Sequence, residues 1–472
     1  MANKLQTFIP VERTVYKLYP ANKSDSGVFA HDNGNPVVKF KWAESDTRVL
    51  DTTNMFLCGR LRIRNRNSKK NCPANRFDLN GTASQDSASY EQVAYMSDRI
   101  GVHSFIRTLR VSDLHNSTYE EVDGYNRNVS STIGAVNSYS QMCSVTNMNL
   151  SSMANNDVCA RTVCGDVEFA IPLESGFFNS NPRVSLARGL EIAINLDSNS
   201  QVLFGKDASE GFIYEIHNCF IHGDYLIPQK PIKEDKLSYI SYHSFDKAIY
   251  SSNDSNNVNM TLAMVNTVYH NFLASDWTNN YGVDAFSTPP PLQYNDGDED
   301  YEEAEINRYN LQRGGLRFPN NYPMDLNDVN KKGAFQALRS RQYLGAIIPY
   351  GMHTDCLLSP DSEGRFDMVP ERTDFLNTPQ TTDQAMVKAW TKNATSGAWS
   401  RTGKYEKGAQ IYGIGLLLDP LANRAYVSYQ DANYNFQIES TLNNTQNETF
   451  IFARAGTVLT SYNGGKQLVA QN

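Results

Sequence analysis

Residues 410–468 alternate between large apolar and polar side chains so regularly that they predict antiparallel β structure and little else. Gly, Pro, Asn and Asp interrupt the alternation at short intervals, a spacing of about eight to twelve residues that is typical of a β-sandwich or barrel. The predicted strands are Ile411–Leu418, Ala425–Tyr429, Tyr434–Ser440, Thr449–Ala453 and Val458–Tyr462. This region therefore predicts the closing strands of an all-β domain.

Residues 211–221, near the middle of the chain, have the same strand-like pattern, and Pro228 follows them. The chain has 472 residues, which is too many for one core, and β-sandwiches with long loops often exceed about 200 residues each. We therefore predict an all-β fold of two tandem sandwiches with a few short helices in the loops. The predicted parts are an N-terminal arm over residues 1–34, a first sandwich over 35–228, a linker over 229–236 and a second sandwich over 237–472.

Individual strands and helices follow from the same patterns. An apolar stripe formed by Met264, Val268 and Phe272 repeats every four residues and predicts a helix. Asn116 can cap the N-terminus of a second predicted helix, Thr118–Asn126. The predicted helices are Thr118–Asn126, Met260–Leu273, Val329–Tyr343 and Thr382–Trp390. The predicted strands outside the C-terminal region are Val37–Trp42, Met55–Ile63, Val102–Val111, Asp166–Leu173, Leu190–Leu196, Phe212–Tyr225 and Leu237–Tyr250.

The charge distribution excludes some functional classes. The formal net charge is −8 and no basic stripe or tail is present, so we expect no direct contact with nucleic acid. No run of 18 apolar residues predicts a membrane span, and the first residues lack the apolar core of a secretory signal peptide. The seven cysteines are an odd, scattered set, which is typical of free thiols in a reducing compartment.

Motifs that could support catalysis or metal binding are weak. The acidic residues Asp296–Asp300 are not followed by the Gly and Glu that a calcium loop requires. His217 and His222 lie five apart on a predicted strand, so we expect them on opposite faces and unable to share a metal. Cys159 and Cys164 are too far apart for a redox pair or zinc knuckle. We therefore predict no catalytic, cofactor-binding or metal-binding residues, and no enzyme activity.

Seven segments of the chain occur in an order and at a spacing that resemble those of one known protein family. They are Asp98–Arg107, Tyr119–Arg127, Ile171–Phe178, Leu190–Leu196, Tyr214–Tyr225, Arg313–Pro319 and Asn435–Leu442. Together they resemble the double jelly-roll major capsid proteins of eukaryotic double-stranded DNA viruses, of the polinton-like virus, virophage and adintovirus type. Tyr119–Arg127 resembles a short helix of that family that ends in Tyr-Asn-Arg.

The resemblance implies a structural protein of the virion capsid with a double jelly-roll fold and no cofactor. Three copies would form a homotrimer, a pseudo-hexagonal tile of an icosahedral shell that contacts neighbouring capsomers, penton proteins and minor capsid proteins. Assembly would take place inside the host cell, in the cytoplasm or nucleus. Met1–Tyr19 is too polar to fold alone, and we expect it beneath the tile, against an internal protein or membrane. The loops over residues 64–88 and 130–156 are candidates for the outer tower and for clasping neighbours.

Two other functions remain open from the sequence. A two-domain β-sandwich could bind or cleave carbohydrate, because glycoside hydrolysis needs only two carboxylates at the correct separation. The chain has only 4 Trp residues, fewer than we expect for a sugar-binding groove. A penton or receptor-binding spike is a third possibility, but such proteins usually need one jelly roll per chain.

Overall fold

A computed structural model describes a large part of the chain, most continuously in its first half. The described residues are 10–22, 27–32, 35–65, 95–96, 100–131, 161–162, 166–204, 212–229, 236–250, 255–258, 262, 265–274, 286, 306–313, 316–317, 324–325, 390–392, 399–401, 412–415, 434–440, 447–461 and 468–471. The predicted helix Val329–Tyr343, all of Thr382–Trp390 except Trp390, and the predicted strand Ala425–Tyr429 lie outside them.

The first sandwich contains thirteen described strands and four short helical segments. The strands are β1 Pro10–Leu18, β2 Val28–Phe29, β3 Val37–Trp42, β4 Val49–Asn65, β5 Tyr95–Met96, β6 Ile106–Ser112, β7 Thr118–Asp123, β8 Arg161–Thr162, β9 Asp166–Pro172, β10 Arg183–Ser185, β11 Leu190–Leu196, β12 Leu203–Phe204 and β13 Phe212–Pro228. The helical segments are a 3₁₀ helix at Gly101–Phe105, α1 at Tyr125–Ser131, α2 at Gly176–Ser180 and α3 at Asn199–Val202.

Ten of these strands form the two sheets of the sandwich, whose strand order is that of a jelly roll, and β12-β5-β8 form a separate three-stranded sheet. The first sheet runs β1-β13-β4 and continues to β10, with β9 also paired to β4 and β2 to β13. The second runs β3-β11-β6-β7. All of these pairs are antiparallel. Each sheet thus joins strands that are distant in sequence, as Greek-key connections require.

The core lies between the two sheets because alternate residues of each strand face inward. In β3, Val38, Phe40 and Trp42 are buried, while Lys41 is exposed. In β11, alternation from Leu190 to Leu196 places every second side chain in the same core. The predicted strands Val37–Trp42 and Leu190–Leu196 are confirmed to the residue.

The predicted N-terminal arm over residues 1–34 is wrong for much of its length. β1 pairs with β13 from Pro10 to Leu18, and β2 pairs with the same strand at residues 216–217. Tyr16 explains why: it is buried, stacks on Tyr225 at a ring-centroid distance of 4.2 Å, and meets the edge of Trp42 at 6.2 Å. The jelly roll therefore begins with β1, because this strand supplies one edge of the first sheet.

The second sandwich repeats the strand order of the first. Its strands are β14 Lys236–Tyr250, β15 Ser255–Val258, β16 Val265–Ala274, β17 Ile306–Arg313, β18 Leu316–Arg317, β19 Met324–Asp325, β20 Trp390–Lys392, β21 Trp399–Arg401, β22 Tyr412–Gly415, β23 Tyr434–Ser440, β24 Asn447–Ser461 and β25 Leu468–Gln471. One sheet runs β14-β24-β16-β22, and the other runs β15-β23-β17-β18. Chain order and sheet order match those of the β1-β13-β4 and β3-β11-β6-β7 sheets, so the fold is a tandem repeat of one topology.

Two predicted helices are strands. Residues Thr118–Asp123 form β7, where Glu120 and Val122 are buried and the residues between them face away, which is a two-residue period. Gly124, with φ of 68°, ends the strand, and the helix starts only at Tyr125. The predicted helix Met260–Leu273 is mostly β16, which pairs with both β24 and β22. Hydrogen bonding to a strand on each side makes this segment a strand, although its apolar residues repeat every four positions as in a helix.

Other element bounds also differ from the predictions; for example, the predicted strand Met55–Ile63 is part of the longer β4. The predicted strand Val102–Val111 begins as the 3₁₀ helix, and its strand starts at Ile106. The predicted strands Thr449–Ala453 and Val458–Tyr462 are one continuous strand, β24, because Gly456 lies in register with Ile240 of β14 and makes no turn. Within the described residues, no helix combines the length and apolar character needed to cross a membrane.

Candidate assembly site

The two sandwiches meet where β14 lies against β7 and α2 of the first. The Tyr239 hydroxyl donates to the carbonyl oxygen of Tyr119 at 2.6 Å. The Phe177 ring lies between these two tyrosines, stacked on Tyr119 at 4.8 Å and edge-on to Tyr239 at 4.9 Å. At the other end, the backbone N–H of Asp123 donates to the Ser244 hydroxyl at 2.9 Å. We call this contact between β7, α2 and β14 the junction.

The junction also covers the edge of β14. Within the described residues, β14 is the outermost strand of its sheet, and an exposed strand edge is prone to pair with other chains. The backbone N–H of Ile240 donates to the Ser180 hydroxyl at 3.0 Å, and that of Tyr242 donates to Oε1 of Glu120 at 2.6 Å. Side chains of the first sandwich therefore take the place of a neighbouring strand.

Glu120 is the centre of the junction. Its side chain is almost fully buried, with 3% of its surface exposed, and both carboxylate oxygens accept hydrogen bonds. Oε1 accepts from the N–H groups of Gly176, at 3.1 Å, and Tyr242. Oε2 accepts from the Ser175 hydroxyl and from the N–H of Phe177, at 3.2 Å. Burial raises the pKa of Glu120 to about 7, although these four donors act to lower it.

A glycine permits the close approach of α2 to β14. A Cβ atom on Gly176 would lie 2.5 Å from the carbonyl oxygen of Ile240 and 3.0 Å from Cα of Ser241. Ser175 caps α2, because its hydroxyl accepts from the N–H of Phe178 at 3.3 Å. The segment Ser175-Gly176 thus positions both a donor for Glu120 and the space that β14 occupies.

A buried polar chain continues from the junction into the first sandwich. Oε1 of Glu174 accepts from the Tyr242 hydroxyl at 2.9 Å and from Nδ2 of Asn179 at 3.1 Å. The N–H of Glu174 donates to the Tyr125 hydroxyl oxygen at 2.8 Å, and that oxygen lies 3.1 Å from Nδ1 of His103. Burial lowers the pKa of His103 to about 4, so this imidazole is neutral at physiological pH.

The outer face of the β3-β11-β6-β7 sheet carries paired charges. Cross-strand ion pairs of this kind are solvated and contribute little stability, but they keep a surface soluble. The pairs are Lys41–Glu191 at 2.8 Å, Arg110–Glu121 at 3.8 Å and Arg107–Asp123 at 3.9 Å.

The outer face of the β1-β13-β4 sheet also carries ion pairs, Arg13–Asp224 and Arg60–Glu168, and beside them it has a small apolar strip. Val15 and Tyr19 are 62% and 51% exposed, the only large apolar side chains exposed among those that the structure describes. The ammonium group of Lys17 lies 3.7 Å from the ring centre of Phe220 and 5.2 Å from that of Tyr19.

The prediction that His217 and His222 face opposite sides of β13 is wrong. Asn218, with φ of 50°, lies in a bulge where the register with β4 shifts. The buried residues of β13 are Tyr214 and Ile216 before the bulge, and Cys219 and Ile221 after it. Both histidines therefore lie on the face away from the core. Nε2 of His217 is 3.0 Å from a Glu215 carboxylate oxygen, and no group of three metal-ligating side chains occurs in the described ranges.

The other residues weighed from the sequence are not brought into a site. Cys159, Cys164 and Asp296–Asp300 lie outside the described residues. Cys58 and Cys219 are free thiols on neighbouring strands, and burial raises the pKa of Cys58 to about 11. A thiol with a raised pKa is a poor nucleophile, which agrees with a packing role for this cysteine.

Sequence reasoning missed Glu120, because it placed this residue in the predicted helix Thr118–Asn126. The signal was available, since Glu120 and Val122 share one face if the segment is read with a period of two. The signal is weak, however, because a glutamate on the apolar face of a strand is rare unless it has partners. Its partners come from residues 175–177 and 242, far away in sequence.

No protein-family model matches the chain, and no curated protein matches it in sequence. Among solved structures, the chain is similar to VP54 of PBCV-1 as fitted into a cryo-EM reconstruction of the virophage Sputnik, with 9% identity over 98% of this chain and 97% of that chain and a TM-score of 0.51. The Sputnik virophage structure itself gives 11% identity, 98% and 88% coverage and a TM-score of 0.49. The mavirus major capsid protein gives 8% identity, 97% and 90% coverage and a TM-score of 0.46.

At such low identity, the similarity to VP54 is a statement about the fold alone. It covers nearly the whole of both chains, so both sandwiches are included. The strand order observed in each half is independent support, because it is the order of a jelly roll. The chain therefore has a double jelly-roll fold.

Proposed function

We propose that this chain is a major capsid protein, a structural component of a viral shell rather than an enzyme. The observation that carries the proposal is the repetition of one jelly-roll strand order in a single chain. Two stiff blocks of two sheets each, spaced about 10 Å apart, make a compact tile whose end loops can vary without disturbing the cores. The similarity to VP54, a protein fitted into a virus reconstruction, supports the same role.

The finer form of the proposal is a homotrimer. Three copies of a two-block chain present six similar blocks, which is the symmetry that a pseudo-hexagonal tile of an icosahedral shell requires. The outer faces of the first jelly roll fit such a tile. The ion pairs on both outer faces suit solvent, and the apolar strip around Val15 and Tyr19 suits contact with protein.

Partners and location belong to the same proposal. Neighbouring capsomers, penton proteins and minor capsid proteins would contact the edges of the tile, within a virion assembled in the cytoplasm or nucleus of the host cell. We propose contact with an internal protein or membrane only for residues 1–9, because residues 10–18 form a strand of the sheet. We propose no catalytic residue, cofactor or direct contact with nucleic acid.

The test is the oligomeric state of the purified chain. Size-exclusion chromatography with light scattering should give three times the mass of the chain, and negative-stain images should show a pseudo-hexagonal outline. A stable monomer at micromolar concentration would count against the capsid role. Saturable binding on a glycan array, together with a monomer or dimer, would favour the carbohydrate-binding alternative instead.

A further inference from the structure

The two jelly rolls repeat one strand order, so strands of the first have counterparts in the second. β14 is the counterpart of β1, because each is the outermost described strand of its sheet and pairs with one long neighbour, β24 or β13. In the same way, β18 is the counterpart of β7, since each ends the other sheet of its jelly roll. What covers β14 within the chain therefore indicates what would cover β1.

The edge of β14 is covered within the chain, whereas that of β1 is not. The backbone N–H groups of Ile240 and Tyr242, at alternate positions of β14, donate to Ser180 and Glu120 of the first jelly roll. Among the residues that the structure describes, no strand lies beside β1 on the side away from β13. An edge strand presents a row of outward N–H and C=O groups that can pair with another chain. β1 thus presents the kind of edge that the junction covers at β14.

Exposed apolar side chains lie at this same edge. Val15 belongs to β1 and Tyr19 follows the strand directly, and both are more than half exposed. The junction combines the covered edge of β14 with apolar contact, because the Tyr239 ring packs edge-on against Phe177. The edge of β1 therefore offers both components of the junction, an open strand edge and an apolar surface beside it.

We propose that the edge of β1, with the apolar strip, binds the β18 side of the second jelly roll of another copy, as β14 binds β7 within the chain. This contact presupposes the proposed capsid function, because it is the contact that would hold the homotrimer together. It joins different surfaces of the two copies, and head-to-tail contacts of this kind form a ring when the rotation between copies closes. First and second jelly rolls alternate around such a ring, and every β1 and β14 edge is covered.

Pairing of β1 with β1 of another copy is the competing arrangement. It is isologous, so it would give a twofold dimer and would leave the β18 side without a partner. The head-to-tail form is favoured because the chain already contains one contact of that kind, the junction between β7 of the first jelly roll and β14 of the second.

Hydrogen exchange and light scattering of the purified full chain, measured over a dilution series, test the contact. When the chain associates, amides in peptides that contain β1 and in peptides that contain β18 should exchange at least about tenfold more slowly. Peptides from β11 should not change, because this strand is paired on both sides within the chain. Slower exchange of β1 without β18 would indicate β1–β1 pairing and would overturn the proposal. Outward amides of β1 that are already slow in the dissociated chain would mean that the same chain covers this edge, which also overturns it.

Val15→Lys tests the apolar part of the contact. Val15 lies opposite Asp224 on β13, so the added cation has an acidic cross-strand neighbour and β1 should still form. A charge without a partner is costly to bury, so the concentration for half-association should rise on the order of 100-fold. Asn195→Lys, the matched control, adds the same charge at an exposed position of β11 and should leave association unchanged.

The outcomes separate this contact from the capsid role. A homotrimer that Val15→Lys does not weaken, or that Asn195→Lys weakens equally, would overturn the contact and leave the capsid role standing. A wild-type chain that stays monomeric at micromolar concentration would count against the capsid role, and the contact would fall with it. If Val15→Lys does not fold, the exchange pattern of the wild-type β1 and β18 peptides decides the matter.

Discussion

At the scale of single residues, His103 shows how a buried side chain links stability to pH. Its pKa is about 4 in the folded chain against an ordinary 6.5, so the unfolded chain binds the proton more tightly. Above pH 6.5, His103 does not lower the unfolding free energy. As the pH falls from 6.5 towards 4, protonation of His103 in the unfolded chain lowers the unfolding free energy progressively. Replacing His103 with Gln should remove this dependence. Between pH 7 and pH 4.5, the unfolding free energy of the wild type should fall by about 2 kcal/mol more than that of His103→Gln.

Urea unfolding at the two pH values measures the difference. His222→Gln is the control, because it makes the same replacement at an exposed position on the outer face of β13. Equal losses in the wild type and in His103→Gln would show that His103 takes up its proton without unfolding. Glu120 acts in the opposite direction in this pH range, which is why the variant must be compared with the wild type.

At the scale of elements, predictions from sequence succeeded where the local alternation of apolar and polar side chains alone determined the secondary structure. Val37–Trp42 and Tyr434–Ser440 alternate strictly and are strands with those bounds. They failed where pairing with another strand decided the secondary structure. Thr118–Asp123 has a cap signal at Asn116, yet pairing with β6 makes it a strand. Asn116 instead adopts φ of 66° in the turn before β7.

The junction could not be predicted from sequence for the same physical reason. Glu120 is stable inside the protein only because of donors that lie more than fifty residues away along the chain. The bulge at Asn218 likewise changes which residues of β13 face the core, and no local sequence pattern predicts it. Alternation identifies strands, but the contacts that close a fold are properties of three-dimensional packing.

The structure makes β1 part of the first jelly roll, and a matched pair of variants tests this. Tyr16 is buried against Tyr225 and Trp42, whereas its neighbour Val15 is 62% exposed. Tyr16→Ala should lower the unfolding free energy of the first jelly roll by about 3 kcal/mol, as for other large aromatic core residues. Val15→Ala should change it by less than about 0.5 kcal/mol. If thermal or urea unfolding gives equally small effects for both, residues 10–18 behave as a detached arm.

At the scale of the whole molecule, the repeated topology raises the question of whether the two jelly rolls unfold separately. Each has its own pair of sheets, and the described contacts between them include the junction and Arg127, whose guanidinium lies 4.5 Å from the ring centre of Phe286. The junction buries aromatic rings and satisfies edge N–H groups of β14, so opening it exposes apolar surface and unpaired donors together. Such a contact couples the stabilities of the two halves.

We therefore expect a single cooperative heat-absorption peak for the wild-type chain in scanning calorimetry. Tyr239→Ala removes the ring that meets Phe177 and the hydroxyl that bonds Tyr119, and should weaken the junction by about 3 kcal/mol. The peak should then separate into two, because each jelly roll loses the support of the other. Tyr19→Ala deletes the same side chain at a position that is 51% exposed and should keep one peak. One undivided peak in Tyr239→Ala, at the wild-type temperature, would mean that the junction contributes little to holding the two jelly rolls together.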